Sequence, residues 1–213
     1  KGLTAEEEAD MKAHGVPEWY IESCKKIKYM FPKAHAVAYV MMAVRIAWYK
    51  VHEPWNFYIQ FFSLRCDQYE IETMTKGLAA IRERMNDISE RAANRYAENP
   101  ATPKEKSLLD TLEVCEELSA RGYSIANVDL YHSQANVFCV LKPDVKTIIP
   151  PFTVLDSLGE AVAESVVEAR KDSPFLSKED LRKRTKLTDT RIRKLEMLGC
   201  LNGLEETNQI RLF

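Results

Sequence analysis

The segment from Phe31 to Lys50 constrains the fold more than any other part of the chain. Pro32 suits the first position of a helix, where its fixed φ is already helical and its missing N–H leaves nothing unpaired, so a long helix is expected to follow. At about 100° per residue, Val37, Val40, Val44, Ala47 and Val51 fall on one stripe, with His35, Tyr39, Met42 and Ile46 roughly opposite. One element therefore carries two different faces.

The start of that helix is also chemically distinctive. A helix N-terminus presents free N–H donors and about half a unit of positive charge, and Lys33 and His35 stand beside this one. The combination suits a phosphate. Tyr39, one turn beyond His35 on the same side, can offer its ring to a base, and Arg45 and Lys50 add cationic groups further along. Residue chemistry leaves a plainer reading open: Pro32 only starts a helix, Lys33 is solvated, and His35 and Tyr39 pack with satisfied polar tips.

The remaining sequence points to a mainly α chain. With 213 residues, 46% of them hydrophobic, it can build one large or two small domains. No apolar run reaches the roughly eighteen residues of a membrane span, and Lys1-Gly2-Leu3-Thr4 lacks a signal-peptide core, so membrane and secretory roles are set aside. Cys24, Cys66, Cys115, Cys139 and Cys200 are scattered without a C-x-x-C pair, which fits a reducing cytoplasm and no metal site.

Thr4 and Glu7 have the form of a capping box, for a short acidic helix ending at Gly15, and Pro17 opens a second helix through Ile21 and Cys24. After Pro54, the aromatic run Trp55–Leu64 reads as a buried helix. Ile71, Met74, Leu78, Ile81, Met85 and Ile88 predict one long amphipathic helix with Gly77 inside it, at a cost of about 1 kcal/mol relative to Ala. The prolines of Asn99-Pro100-Ala101-Thr102-Pro103 mark the expected domain junction. Beyond them, Thr102 and Glu105 cap a helix whose stripe is Leu108, Leu109, Leu112, Cys115 and Leu118. Val137–Leu141 and Lys146–Ile149, around Lys142–Val145, predict a small β-hairpin, the only strand-like stretch.

Phe31-Pro32-Lys33-Ala34-His35-Ala36, with Ala38-Tyr39 and Ala47-Trp48-Tyr49-Lys50-Val51-His52-Glu53-Pro54, resembles the fingers region of the C-family bacterial replicative DNA polymerases, most of all their PolC-type members. The resemblance runs through the whole chain and implies the C-terminal part of such an enzyme, an expectation that the missing initiator Met also favours. It implies that residues 1–98 are the later portion of the fingers, with Lys33, His35, Tyr39 and Arg45 meeting the incoming deoxynucleoside triphosphate.

Residues 99–208 would then form a small α+β domain that binds duplex primer-template DNA. Leu155–Arg170 resembles the hairpin and second helix of a helix-hairpin-helix unit, in which Ser157, Leu158 and Gly159 would hold a DNA phosphate through backbone N–H groups. Ser157 stands where such hairpins usually have a first glycine. Ser177 and Thr188 cap the helices of a second unit. The net charge is only −2, but ten of residues 170–194 are Lys or Arg and four are acidic. Lys178, Lys183, Arg184, Lys186, Thr188 and Arg191 are the candidate contacts there, weighed against an ordinary solvated helix face. Nothing resembles a base-reading helix, so no sequence specificity is expected.

Gln209-Ile210-Arg211-Leu212-Phe213 looks like a sliding-clamp-binding peptide, with Leu212 and Phe213 entering an apolar pocket, Ile210 beside them and Gln209 bonding at the rim. A frayed terminus is the plain alternative. Polymerase chemistry needs paired carboxylates that hold two Mg²⁺ ions about 3.5–4 Å apart, and no Asp-x-Asp occurs here. The resemblance thus puts the catalytic carboxylates and their Mg²⁺ upstream of Lys1 and makes these 213 residues inactive alone. The competing reading is a non-catalytic helix-hairpin-helix module that binds DNA or acts as a scaffold.

Overall fold

The computed structural model describes residues 3–26, 33–94, 96, 98–156 and 158–208. They form two compact units that part between His52 and Glu53.

The first unit contains α1 (Ala5–Ala13), α2 (Glu18–Lys26) and α3 (Lys33–His52). The expected capping box opens α1: the Glu7 N–H donates to Thr4 Oγ1 at 3.2 Å, and the Thr4 N–H donates to Glu7 Oε2 at 2.8 Å. Gly15, at φ 72°, turns the chain where a side chain would be strained. Ile21 and Cys24, three residues apart, are the buried positions of α2, and Lys25 ties the two helices by donating to Glu8 at 2.8 Å while also donating to Glu22 of its own helix at 2.8 Å. Helix α3 is as long as expected and has no buried residue. Pro32 itself lies outside the described residues.

The second unit begins with α4 (Pro54–Leu64), with Pro54 in its first turn and Tyr58 and Phe62 buried one turn apart. The long helix expected over residues 71–88 is two helices, α5 (Ile71–Met74) and α6 (Leu78–Ala93). Gly77 separates them at φ 87° and ψ −175°, a left-handed conformation that only glycine adopts without strain. The hydrophobic spacing survived the break because Ile71 and Met74 join the same core as Ile81 and Ile88.

Helix α7 (Pro103–Ala120) follows, with the expected Thr102–Glu105 box and with Leu108, Thr111, Leu112, Cys115 and Leu118 buried. It packs on α6, so the prolines expected to mark a domain junction form the turn between two paired helices of one unit. Arg84 and Arg91 of α6 hold that pair together. Arg84 donates to Glu70 at 2.9 Å, Asp87 at 2.6 Å and Glu105 at 3.2 Å, while Arg91 donates to Asp87 at 2.8 Å and Glu105 at 2.5 Å.

Three short strands come next: β1 (Ser124–Ile125), β2 (Cys139–Lys142) and β3 (Thr147–Ile149), in the order β1-β3-β2. The hairpin of β2 and β3 was expected; β1, parallel to β3, was not, since two residues carry no periodicity. Then α8 (Glu160–Asp172), α9 (Lys178–Arg184) and α10 (Asp189–Met197) close over a core that includes Leu158, Val166, Leu181, Ile192 and Leu195.

Glu105 supplies a testable point. The Arg91 guanidinium and the Thr102 N–H hold its carboxyl well below the usual carboxylate range. A depressed pKa contributes stability that is complete above the unfolded-state value and is lost as pH falls through the folded one. Glu105→Ala should therefore lower stability by about 1–3 kcal/mol near pH 7 through loss of the cap and both arginine bonds. In urea melts across pH, that deficit should shrink as the pH drops below about 4.3.

Candidate nucleic-acid interface

Two regions carry the residues singled out above, one in each unit. In the first, Lys33 is the first described residue of α3, and His35 and Tyr39 lie one turn apart with ring centroids 4.5 Å apart, edge to face. Tyr39 is 67% exposed, so its ring is presented to solvent with an imidazole packed against it. Arg45 is exposed and Lys50 half-buried further along the helix. Trp48 and His52 repeat the aromatic pairing at the other end, with centroids 4.7 Å apart.

In the second region, the turn before α8 is built by the Leu158 N–H, which donates to the Leu155 carbonyl at 3.0 Å. Leu158 is buried and anchors the turn. Gly159 is exposed at the N-cap of α8, at φ −69°, and a Cβ there would meet nothing within 4 Å. Its value is therefore the open approach it leaves to the helix start, not an unusual backbone angle. Ser157 lies outside the described residues. Two carboxylates flank the turn: Asp156, 3.4 Å from Lys104 Nζ, and Glu160, which accepts from Asn136 Nδ2 at 2.6 Å. Lys194 Nζ donates to the Asp156 carbonyl at 3.2 Å and brings a second cation to the same turn.

The basic run divides by what each cation touches. Arg184 is built into the fold. Its guanidinium donates to the carbonyls of Ala169, Ser173 (2.9 Å) and Pro174 (3.3 Å) and to Asp180 (3.1 Å), and it lies 4.6 Å from the Phe175 ring centre. Arg170 behaves similarly: it donates to the Leu130 carbonyl at 2.9 Å, and burial pulls its pKa down. The Lys178 side chain is only 12% exposed and pairs with Glu196 and Glu206, which raise its pKa.

Lys183, Lys186, Arg182 and Arg193 stay on the surface. Lys183 is paired with Glu179 at 2.6 Å and Arg182 with Asp189 at 3.0 Å, while Lys186 is anchored by its own N–H, which donates to Ser165 Oγ at 2.9 Å. Arg191 is half-buried on α10. Thr188 occupies the N-cap of α10 by its backbone but makes no side-chain cap bond, whereas the Ser177 hydroxyl accepts from the Asp180 N–H at 3.0 Å. Sequence reasoning did not distinguish the fold-building arginines from the surface cations. The only hint was Phe175, an aromatic beside a run of helix-ending cations.

Residues 209–213, expected to bind a clamp, lie outside the described residues. Among the described residues, no group of three His, Cys, Asp or Glu side chains stands where it could hold a metal ion. No described helix is long and apolar enough to cross a membrane.

The family described as helix-hairpin-helix motif matches residues 122–210, the stretch that holds the sheet and α8 to α10. Over all 213 residues the chain is 51% identical to the DNA polymerase III PolC-type of Oceanobacillus iheyensis and 50% identical to that of Bacillus subtilis. Over 203 residues, 95% of the chain, it is 50% identical to the corresponding Streptococcus pneumoniae protein. The chain spans only 14% of the length of the first two relatives and 13% of the third.

The two classes of cation should separate experimentally. Arg184→Lys, which keeps the charge but loses the planar fork that reaches several carbonyls, should cost about 1–3 kcal/mol of stability in urea unfolding. Lys183→Ala should change it by less than about 0.5 kcal/mol.

Proposed function

The chain belongs to the PolC-type DNA polymerase III family, and from that premise we propose that it works as the C-terminal part of a replicative DNA-directed DNA polymerase. Residues up to 98 contribute the later portion of the fingers, residues 99–208 grip the duplex primer-template, and residues 209–213 tether the enzyme to a sliding clamp through Gln209, Ile210, Leu212 and Phe213. The observation that carries this reading is identity of about half over the full chain, together with a helix-hairpin-helix match on the segment that holds the basic run.

At the fingers, Lys33 and His35 screen the triphosphate of the incoming nucleotide, and Tyr39 packs on the nascent base pair, with Arg45 supporting. Exposure of the Tyr39 ring and its edge-to-face contact with His35 favour that role, because a preset aromatic plane loses little freedom when a base stacks on it. At the duplex, the start of α8 at Gly159 holds a backbone phosphate, and Lys183, Lys186 and Arg191 add phosphate contacts. Such contacts position the duplex without reading its sequence.

The chemical step belongs elsewhere in the polypeptide. Two Mg²⁺ ions, held by carboxylates outside these 213 residues, would activate the primer hydroxyl and the leaving pyrophosphate. Alone, this segment binds but does not transfer nucleotides, and it acts in the cytoplasm.

Two measurements on the intact polymerase test the reading. Tyr39→Ala should raise the KM for nucleotide by about tenfold, the worth of one lost stacking contact, with primer-template affinity unchanged; an unaltered KM removes Tyr39 from the nucleotide site. Replacing Lys183 and Lys186 together by Ala should lower the slope of log affinity against log salt by roughly 2, equally for unrelated duplex sequences. An unchanged slope would remove these cations from the duplex interface.

A further inference from the structure

The nucleotide-facing role uses one side of α3 and leaves the other unexplained. Val37, Val40, Val44, Ala47 and Val51 recur in alternating steps of three and four residues, the spacing by which one helix packs along another. All five are exposed, Val40 and Val44 to 62% and 63%. Met41 and Trp48 extend the apolar surface on its flank, and α3 contains no Asp or Glu. A helix apolar on this scale belongs in an interior, and an uncovered face of this kind marks a contact surface.

We propose that this valine seam is the docking face for an apolar helix of the same polymerase polypeptide, lying outside these 213 residues. The inference rests on the family reading above. Two observations select that occupant. The chain covers 14% of its relatives' length, so most of a full polymerase remains to supply a covering helix in cis, at high effective concentration. The positions beside the seam are Ala36, Met41, Ala43, Trp48 and Lys50, and Lys33 continues its line one turn earlier; the cations have no acidic counterpart on α3, so the opposed charges that register a coiled coil between separate chains are missing. A seam without such charges suits permanent burial rather than reversible pairing of two copies.

Thiol labelling in the full polymerase tests the proposal, with the modified peptide identified by mass. Val44→Cys should react with a maleimide more than about tenfold slower in the full polymerase than in the 213-residue chain, because reaction must await local opening. Met42→Cys, on the opposite side, should react alike in both without nucleotide. Equal rates for Val44→Cys in the two proteins overturn the proposal, and so does slow labelling in the 213-residue chain alone. Protection that grows with protein concentration assigns the seam to a second copy, and protection that needs primer-template assigns it to nucleic acid; either result also overturns it. If Val44→Cys does not fold, hydrogen exchange of residues 37–51 in the unsubstituted proteins gives the same comparison. Primer extension by the unsubstituted full polymerase checks the family reading separately, since its loss would defeat that reading whatever the labelling shows.

Discussion

The second unit depends on one aromatic seam. Phe62 of α4 meets Phe138, just before β2, with ring centroids 5.3 Å apart, and Tyr69 lies 5.9 Å from the same ring. Neighbouring polar groups fix the register of that contact. The Phe138 N–H donates to Ser63 Oγ at 2.9 Å, and Tyr69 Oη donates to the Phe62 carbonyl at 2.5 Å. Large rings contribute most when fully desolvated, and Tyr58, Phe62, Phe138 and Phe152 are all fully buried. The helices before the proline pair and the sheet after it therefore share one core, and the start of α8 takes its position from that core.

This arrangement explains what the sequence disclosed and what it did not. Both capping boxes were legible because Thr4–Glu7 and Thr102–Glu105 are local devices whose partners lie three residues apart. The break at Gly77 was not, because the apolar spacing continues across it and a left-handed glycine leaves no periodic trace. Strand β1 escaped for a similar reason: its two residues exist as a strand only because β3 pairs with them. The prolines of residues 100–103 carry a different kind of signal. Prolines report that a helix stops, and only the partner of the next helix tells whether a domain stops with it.

At the candidate interface the charge was legible and its use was not. Composition concentrates cations between residues 170 and 194, yet the fold takes Arg184 and Arg170 for main-chain carbonyls and encloses Lys178 between two glutamates. A cation that bonds a carbonyl lost by a helix end stabilises the domain and adds little to the field outside it. In the proposed reading, duplex affinity then comes from few contacts, with Asp156 and Glu160 opposing them at the very turn that receives a phosphate. In that reading, weak, sequence-blind contact of this kind leaves persistence on the template to the proposed tether.

Helix α3 joins the two proposals physically. Its aromatic and cationic stripe can select a nucleotide only if the helix holds its place while the ligand binds, and side chains act with the accuracy of whatever supports them. A helix with no buried residue draws little such support from the described residues of its own unit. Covering the valine seam would provide it, because packing along a three-four spacing fixes both the rotation and the axial position of a helix. Rotation by one residue, about 100°, would carry Tyr39 off the proposed nucleotide side altogether, so in this reading the apolar back of α3 governs what its front can do.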